Sequence, residues 1–241
     1  METVPTENAL LGGRVRLLQP SRGYRVAVDA VLLAAAVEAA PGDRVLDLGA
    51  GVGAVGLCLA ARVPGCTIVG IELQAGLAEL AVRNAALNGA ESRMRTIVHD
   101  LARPLPAELA TFDHVATNPP YLAAAVADPS PDPSKALATV ESSADLARWL
   151  TVAVSALKPT GTLTVIHRSD RLEEIVGHLV RLGWGDVTVK LLPPAARVLL
   201  RARQADAAVR RLSPPLVLHR PEGGYTEEAE AILRHATPLA F

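Results

Sequence analysis

The chain has 241 residues and a formal charge of −1; half of its residues are hydrophobic, yet only 3% are aromatic. That length suits one large α/β domain with a Val, Leu and Ala core and is short for two independent ones. The acidic opening METVPTENALLGG lacks the basic stretch of a signal peptide, and the longest apolar run, Ala30–Val37, is far too short to span a bilayer. Cys58 and Cys66 fit no metal or redox spacing and read as small buried residues of a reducing cytosol. The histidines are scattered without ligand spacing, so no metal site is expected.

In chain order, the arginine-bearing stretch Gly12–Gly23 can pair as a short hairpin. Val26–Ala40 reads as a helix ended by Pro41-Gly42, with Asp29 near its start, where an acid suits the helix dipole. Arg44–Leu48 is the first core strand, and Gly49-Ala-Gly-Val-Gly53 turns into an Ala/Leu-rich helix, Ala54–Arg62. A second strand, Thr67–Ile71, ends at Glu72 and leads to a helix over Ala75–Asn88. A third, Met94–Val98, ends at His99-Asp100, and a fourth, Thr111–Thr117, ends at Asn118. The proline-rich stretch Tyr121–Thr139 reads as a loop carrying Lys135. Ser143–Leu157 is helical, Thr162–His167 a fifth strand and Asp170–Leu182 a helix. Asp186–Leu192 and Val198–Gln204 read as an antiparallel pair, and a strand over Pro215–His219 precedes a last helix, Glu227–His235, entered through Thr226. We divide the single domain into an N-terminal hairpin and helix (1–41), a core (42–205) and a C-terminal strand and helix (206–241).

Strand–helix alternation over four units implies a largely parallel sheet with helices on both faces, and ligands of such sheets sit at the carboxyl ends of the strands. Gly49, Gly51, Gly53, Glu72, Asp100 and Asn118 each follow a strand, so one sheet edge should gather them. The glycines let backbone approach a ligand at a helix N-terminus. Glu72 stands about 20 residues after the turn, where an acid takes ribose hydroxyls, and Asp100 falls within reach of a purine one strand further out. NAD enzymes share such a turn, but the spacing here is G-x-G-x-G, and Asp47 places a carboxylate that would repel a pyrophosphate. Asp47 either caps the loop amides or meets a cationic ligand.

Ala116–Tyr121 (ATNPPY) closes the set. Pro119 and Pro120 have no N–H and hold the residue before each of them extended. The result is a stiff shelf carrying an amide (Asn118), a free carbonyl (Pro119) and an aromatic ring (Tyr121), suited to gripping a flat, amine-bearing group.

VLDLGAGVG, Glu72, Asp100 and Asn118-Pro-Pro-Tyr121 together resemble the signature of S-adenosylmethionine-dependent methyltransferases of the seven-strand type. QPSRGYRVAVDAVLLA, IELQAGLAELAVRNAALNG, RVLLRARQ and PLVLHRPEGGYTEEAEAIL are similar to the bacterial tRNA(Val) (adenine-N6)-methyltransferase group. The resemblance implies a Rossmann-like, seven-stranded, mostly parallel sheet with an antiparallel C-terminal pair. It implies S-adenosylmethionine held by Asp47, Gly49, Gly51, Gly53, Glu72 and Asp100, and methyl transfer to an adenine amine of RNA, with tRNA foremost, at Asn118, Pro119 and Tyr121. The second tyrosine often seen after the motif is Leu122 here. Three alternatives stand beside it: a glutamine N5-methyltransferase acting on a translation factor, a DNA adenine methyltransferase, and a non-catalytic nucleotide-binding module. The first usually carries a separate helical domain, for which about 40 residues before the first strand leave too little chain, and the second needs a module to read and open duplex DNA, for which no room is expected.

The stretch Lys190–Arg220 carries seven basic residues against the single acid Asp206, and Arg197, Arg201, Arg203, Arg210 and Arg211 are the expected RNA contacts, unless they simply guard edge strands. A cytoplasmic enzyme without a membrane partner is expected.

Overall fold

The computed structural model describes residues 4–23, 25–109, 111–121, 140–141 and 143–241. The expected loop over 122–139, with Lys135, lies outside the described residues. A hairpin of β1 (Thr6–Leu10) and β2 (Val15–Gln19) comes first. The core then runs α1 (Val28–Ala36), β3 (Arg44–Leu48), α2 (Ala54–Arg62), β4 (Thr67–Glu72), α3 (Ala75–Leu87), β5 (Met94–Val98) and β6 (Phe112–Thr117). After the undescribed stretch come α4 (Leu146–Ser155), β7 (Leu157–Arg168), α5 (Leu172–Arg181), β8 (Trp184–Leu191), β9 (Arg197–Arg203), β10 (Ala205–Leu212) and α6 (Glu227–His235).

The main sheet has the order β10-β8-β9-β7-β6-β3-β4-β5. β5, β4, β3, β6 and β7 are mutually parallel, and β9 runs antiparallel to both β7 and β8. The seven strands expected between Arg44 and Gln204 are therefore in place, and β10 adds an eighth along the free edge of β8. Pro215–His219 is not a strand: only His219 bridges, to Tyr225. Two prolines remove ladder donors at its start, although Leu216 and Leu218 are buried and donate their N–H groups to Leu191 and Pro193. The hairpin begins ahead of the expected Gly12–Gly23, because Leu11–Arg14 form its turn.

Alternation along the strands sorts side chains onto two faces. Val45, Ile68, Ile166 and Leu199 join the core that packs α1, α2, α6 and the hairpin. Leu46, Leu48, Val165, Val198 and Leu200 join the core under α4 and α5. On β9 (RVLLRAR) this parity puts Arg197, Arg201 and Arg203 with Leu199, on the α1 face.

The hairpin is docked by two amides. Asn88 accepts Arg16 N–H (2.8 Å) and donates to the Arg16 carbonyl (2.7 Å), while Asn84 does the same for Leu18 (2.7 and 2.8 Å). An i, i+4 helical step of about 6 Å nearly matches a two-residue strand step of about 6.8 Å, so α3 presents a side-chain imitation of a neighbouring strand. Asn84 also donates to the Val52 carbonyl at 3.0 Å, tying the hairpin to the glycine turn.

Candidate active site

β5, β4, β3 and β6 are sheet neighbours, so their carboxyl ends open on one cleft enclosing about 970 Å³, part of it continuous with solvent. Asp47, Gly49, Gly51, Glu72, Asp100 and Asn118 all border it.

The glycine turn is built by close approach. Gly49 and Ala50 both donate to the Ile71 carbonyl at 2.9 Å. Gly49 has φ 78°, and a Cβ there would lie 2.6 Å from the Trp149 ring of α4. Gly51, at φ 56°, has nothing within 4 Å of such a Cβ and faces the open cleft. Gly53 is not at the rim: a Cβ there would meet Met94 at 2.7 Å and Ala81 at 3.3 Å, so its role is close packing on α3 and β5.

Glu72 ends β4 and braces this turn. Its Oε2 accepts Gly51 N–H and its Oε1 accepts Gln74 N–H, both at 2.8 Å. Burial pushes its carboxyl above the ordinary range, and those backbone N–H groups pull it back. Each oxygen keeps a lone pair for a ligand hydroxyl. Asp47 is 1% exposed, and its Oδ2 has no partner among the described residues. Burial first, and the Glu72 charge second, push it up to about 7, with the Gly56 N–H opposing. Asp100 sits at the rim, where Oδ1 accepts Ser143 Oγ–H (2.7 Å) and Ala102 N–H (2.9 Å). Those hydrogen bonds hold it below the usual carboxylate range.

The shelf after β6 is anchored from both sides. Thr117 Oγ1 donates to the Leu48 carbonyl of β3 at 2.9 Å. Pro119 and Pro120 are buried, and His167 Nε2, at the end of β7, donates to the Pro120 carbonyl at 3.3 Å. A carbonyl only accepts, so Nε2 carries the proton; burial pushes His167 down to about 4, keeping it neutral. Asn118 Oδ1 is buried and has no partner among the described residues. Tyr121 donates its phenol proton to Asp29 Oδ2 at 2.6 Å.

Four contributors escape a reading by motif: Asp29, His167, Trp149 and Asn84. His167 carries a signal after all, as the last residue of TLTVIH at the same strand edge as Glu72 and Asn118.

The basic tract resolves into ion pairs. Arg197 pairs with Asp29 (3.1 Å), Arg201 and Arg203 with Glu38 (2.7 and 3.2 Å), Arg210 with Glu173 (2.7 Å) and Arg211 with Asp186. Arg201 is withdrawn as an RNA contact. Its side chain is 9% exposed, donates to the Ala36 carbonyl and lies over the Phe241 ring. The cause is the β9 parity, which turns that arginine onto α1.

A parallel sheet whose strand ends carry a braced glycine turn and an Asn-Pro-Pro-Tyr shelf defines an α/β methyltransferase, and the chain belongs to the methyltransferase small domain family, whose pattern matches residues 25–180. More particularly, it is 31% identical to the tRNA1(Val) (adenine(37)-N6)-methyltransferase of Porphyromonas gingivalis, over 87% of this chain and 87% of that protein. The Yersinia enterocolitica protein of the same name is 30% identical, over 87% and 84%. The release factor glutamine methyltransferase of Rhodospirillum rubrum is 36% identical over 68% of this chain, but only 52% of that protein is covered. Among solved structures, one described as a predicted O-methyltransferase from Agrobacterium tumefaciens superposes with a TM-score of 0.71 at 25% identity, covering 88% of this chain and 98% of that one.

Proposed function

We propose that this protein transfers a methyl group from S-adenosylmethionine to the exocyclic amine of an adenine in tRNA, the adenine at position 37 of tRNA1(Val) being the first candidate. The observation that carries the reading is Asn118 Oδ1, a buried acceptor with no donor among the described residues, in a cleft also lined by Asp47, Gly51 and Glu72.

The cleft fits the cofactor's chemistry at both ends. Asp47 Oδ2, buried and unpartnered, suits an ammonium group, and Glu72 keeps lone pairs for ribose hydroxyls. Gly51 admits close approach of backbone, and Asp100, which also lines the cleft, is the acceptor for a purine amine in this reading. When bound, S-adenosylmethionine supplies an electrophilic methyl on a sulfonium. The chain's own task is to prepare the nucleophile, because the lone pair of an aromatic amine is delocalised into its ring. Asn118 Oδ1 and the Pro119 carbonyl each accept one N–H of the amine, which lets the nitrogen pyramidalise toward the methyl. Positive charge then grows on that nitrogen, so both acceptors bind the transition state more strongly than the ground state. The Tyr121 ring stacks on the base.

The enzyme acts in the cytoplasm on an RNA partner. No helix among the described residues is long and apolar enough to cross a membrane. Arg203, Arg210 and Arg211 remain available for phosphates, since exposed ion pairs of about 0–1 kcal/mol yield to a stronger anion. Arg22 and Arg25 add charge next to α1, whose residue Ala30 borders the cleft. Arg25 is held by Thr6, Asn8 and the Pro20 carbonyl, with no acid among its described partners.

The test is a competition: enzyme with methyl-labelled S-adenosylmethionine, bulk bacterial tRNA and purified release factor in one tube. Label in tRNA supports the proposal. Label confined to release factor would replace it with the glutamine reading, which the Rhodospirillum rubrum similarity keeps specific.

A further inference from the structure

Tyr121 is gripped by residues from three distant parts of the chain. Its phenol shares Asp29 Oδ2 with Arg197, whose Nε donates to the same oxygen at 3.1 Å. The Arg197 guanidinium carbon lies 4.4 Å from the centroid of the Tyr121 ring, and His167 meets that ring edge-on at 5.3 Å and 88°. Asp29 stands in the first turn of α1, Arg197 opens β9 and His167 is the penultimate residue of β7.

Packing alone does not call for this arrangement. The Asp29 and Arg197 side chains are only 16% and 28% exposed, and an apolar pair would fill such a place with less desolvation. What the charges supply is direction. Two donors converging on one carboxylate oxygen fix the phenol tip, the His167 ring stands perpendicular to the Tyr121 ring, and the guanidinium covers one ring face. The plane of the Tyr121 ring, three residues after Asn118 in the chain, is therefore set before any base arrives, and the guanidinium already occupies one of its faces.

We propose that Asp29 and Arg197 are positioning residues for the substrate base, fixing the plane of the Tyr121 ring on which the adenine stacks. The inference rests on the reading that Tyr121 stacks a base. A cation behind the ring also matches the quadrupole of the aromatic face, which favours its seat there over one in solvent.

A double-mutant cycle on kcat/KM for tRNA tests it. Asp29→Asn and Arg197→Gln should each lower kcat/KM by about tenfold, and Tyr121→Phe, which removes only the hydroxyl, by severalfold. Combined with Tyr121→Ala, neither Asp29→Asn nor Arg197→Gln should cost more than about twofold further, because the ring they orient is gone. S-adenosylmethionine affinity by calorimetry should stay within about twofold, which a general loss of structure would not allow, and the salt slope of tRNA binding should be unchanged in Arg197→Gln. Multiplicative losses in the double mutants, a lost cofactor affinity or a flattened salt slope would each overturn the inference. A wild-type protein that methylates no RNA would instead strike the reading beneath it.

Discussion

Replacing Asn118 by alanine removes one acceptor and little else. Its Oδ1 has no donor among the described residues, so truncation strands no buried partner there and the fold should survive. The amine it would serve is neutral in the ground state and cationic in the transition state. A hydrogen bond to a charged group contributes about 1.5–3 kcal/mol, and a preorganised contact in a cleft shielded from water about 2.7–4 kcal/mol, or about 100- to 1000-fold in rate. The burial of Asn118 Oδ1 and the rigid Pro-Pro shelf behind it favour the upper range. Single-turnover methylation of tRNA at saturating S-adenosylmethionine isolates the chemical step, while calorimetry should show cofactor affinity within about twofold of wild type, because the proposed partner of Asn118 is the substrate amine and not the cofactor. An Asn118→Ala enzyme that methylates within about tenfold of the wild-type rate would refute the reasoning.

Three further outcomes follow from the same geometry. Asp47 has its folded-state pKa raised from 3.8 to about 7, so the stability it contributes is present in acid and is lost as pH rises from about 4 through about 7. Pairing with an ammonium needs the ionised form, so S-adenosylmethionine affinity should rise with pH toward about 7 and then level; titration calorimetry of Asp47→Asn should show that slope gone, and a persisting slope would place the proton elsewhere. Gly49→Ala combines a left-handed φ with a 2.6 Å approach to Trp149 and should cost several kcal/mol, whereas Gly51→Ala, with open space, should cost about 1 kcal/mol in thermal melts; equal losses would refute the contrast. Asn84→Ala strips three hydrogen bonds at a fully buried site and should cost about 2–4 kcal/mol; in hydrogen exchange, protection should fall first at Leu18, and unchanged exchange there would refute the strand mimicry.

Strand ends were the legible part of this chain. A parallel sheet gives each strand one carboxyl terminus on a common edge, so Asp47, Glu72, Asp100 and Asn118 could be gathered from their places in sequence alone. What sequence order hides is the face a side chain takes. A charge count over 190–220 treats its arginines as one patch, whereas the two-residue period of RVLLRAR sends Arg197, Arg201 and Arg203 to the α1 face, where they meet Asp29 of α1 and Glu38 just past its end. Asp29 looked like a helix-dipole acid for the same reason: its partners are separated from it by 92 and 168 residues. β10 escaped because ADAAVRRL buries no face; all but its first residue are exposed, so it lacks the alternation that marks a strand. Gly53 was grouped with the ligand glycines by spacing, although its close contacts are Met94 and Ala81.

The most direct measurement is nucleoside and fragment mass spectrometry of a tRNA1(Val) transcript after incubation with the protein and S-adenosylmethionine. The account predicts one added methyl, recovered as N6-methyladenosine from the fragment holding position 37, and none when that adenine is replaced by guanine. A transcript that returns unmethylated, or a methyl found on any group other than an adenine amine, would contradict it.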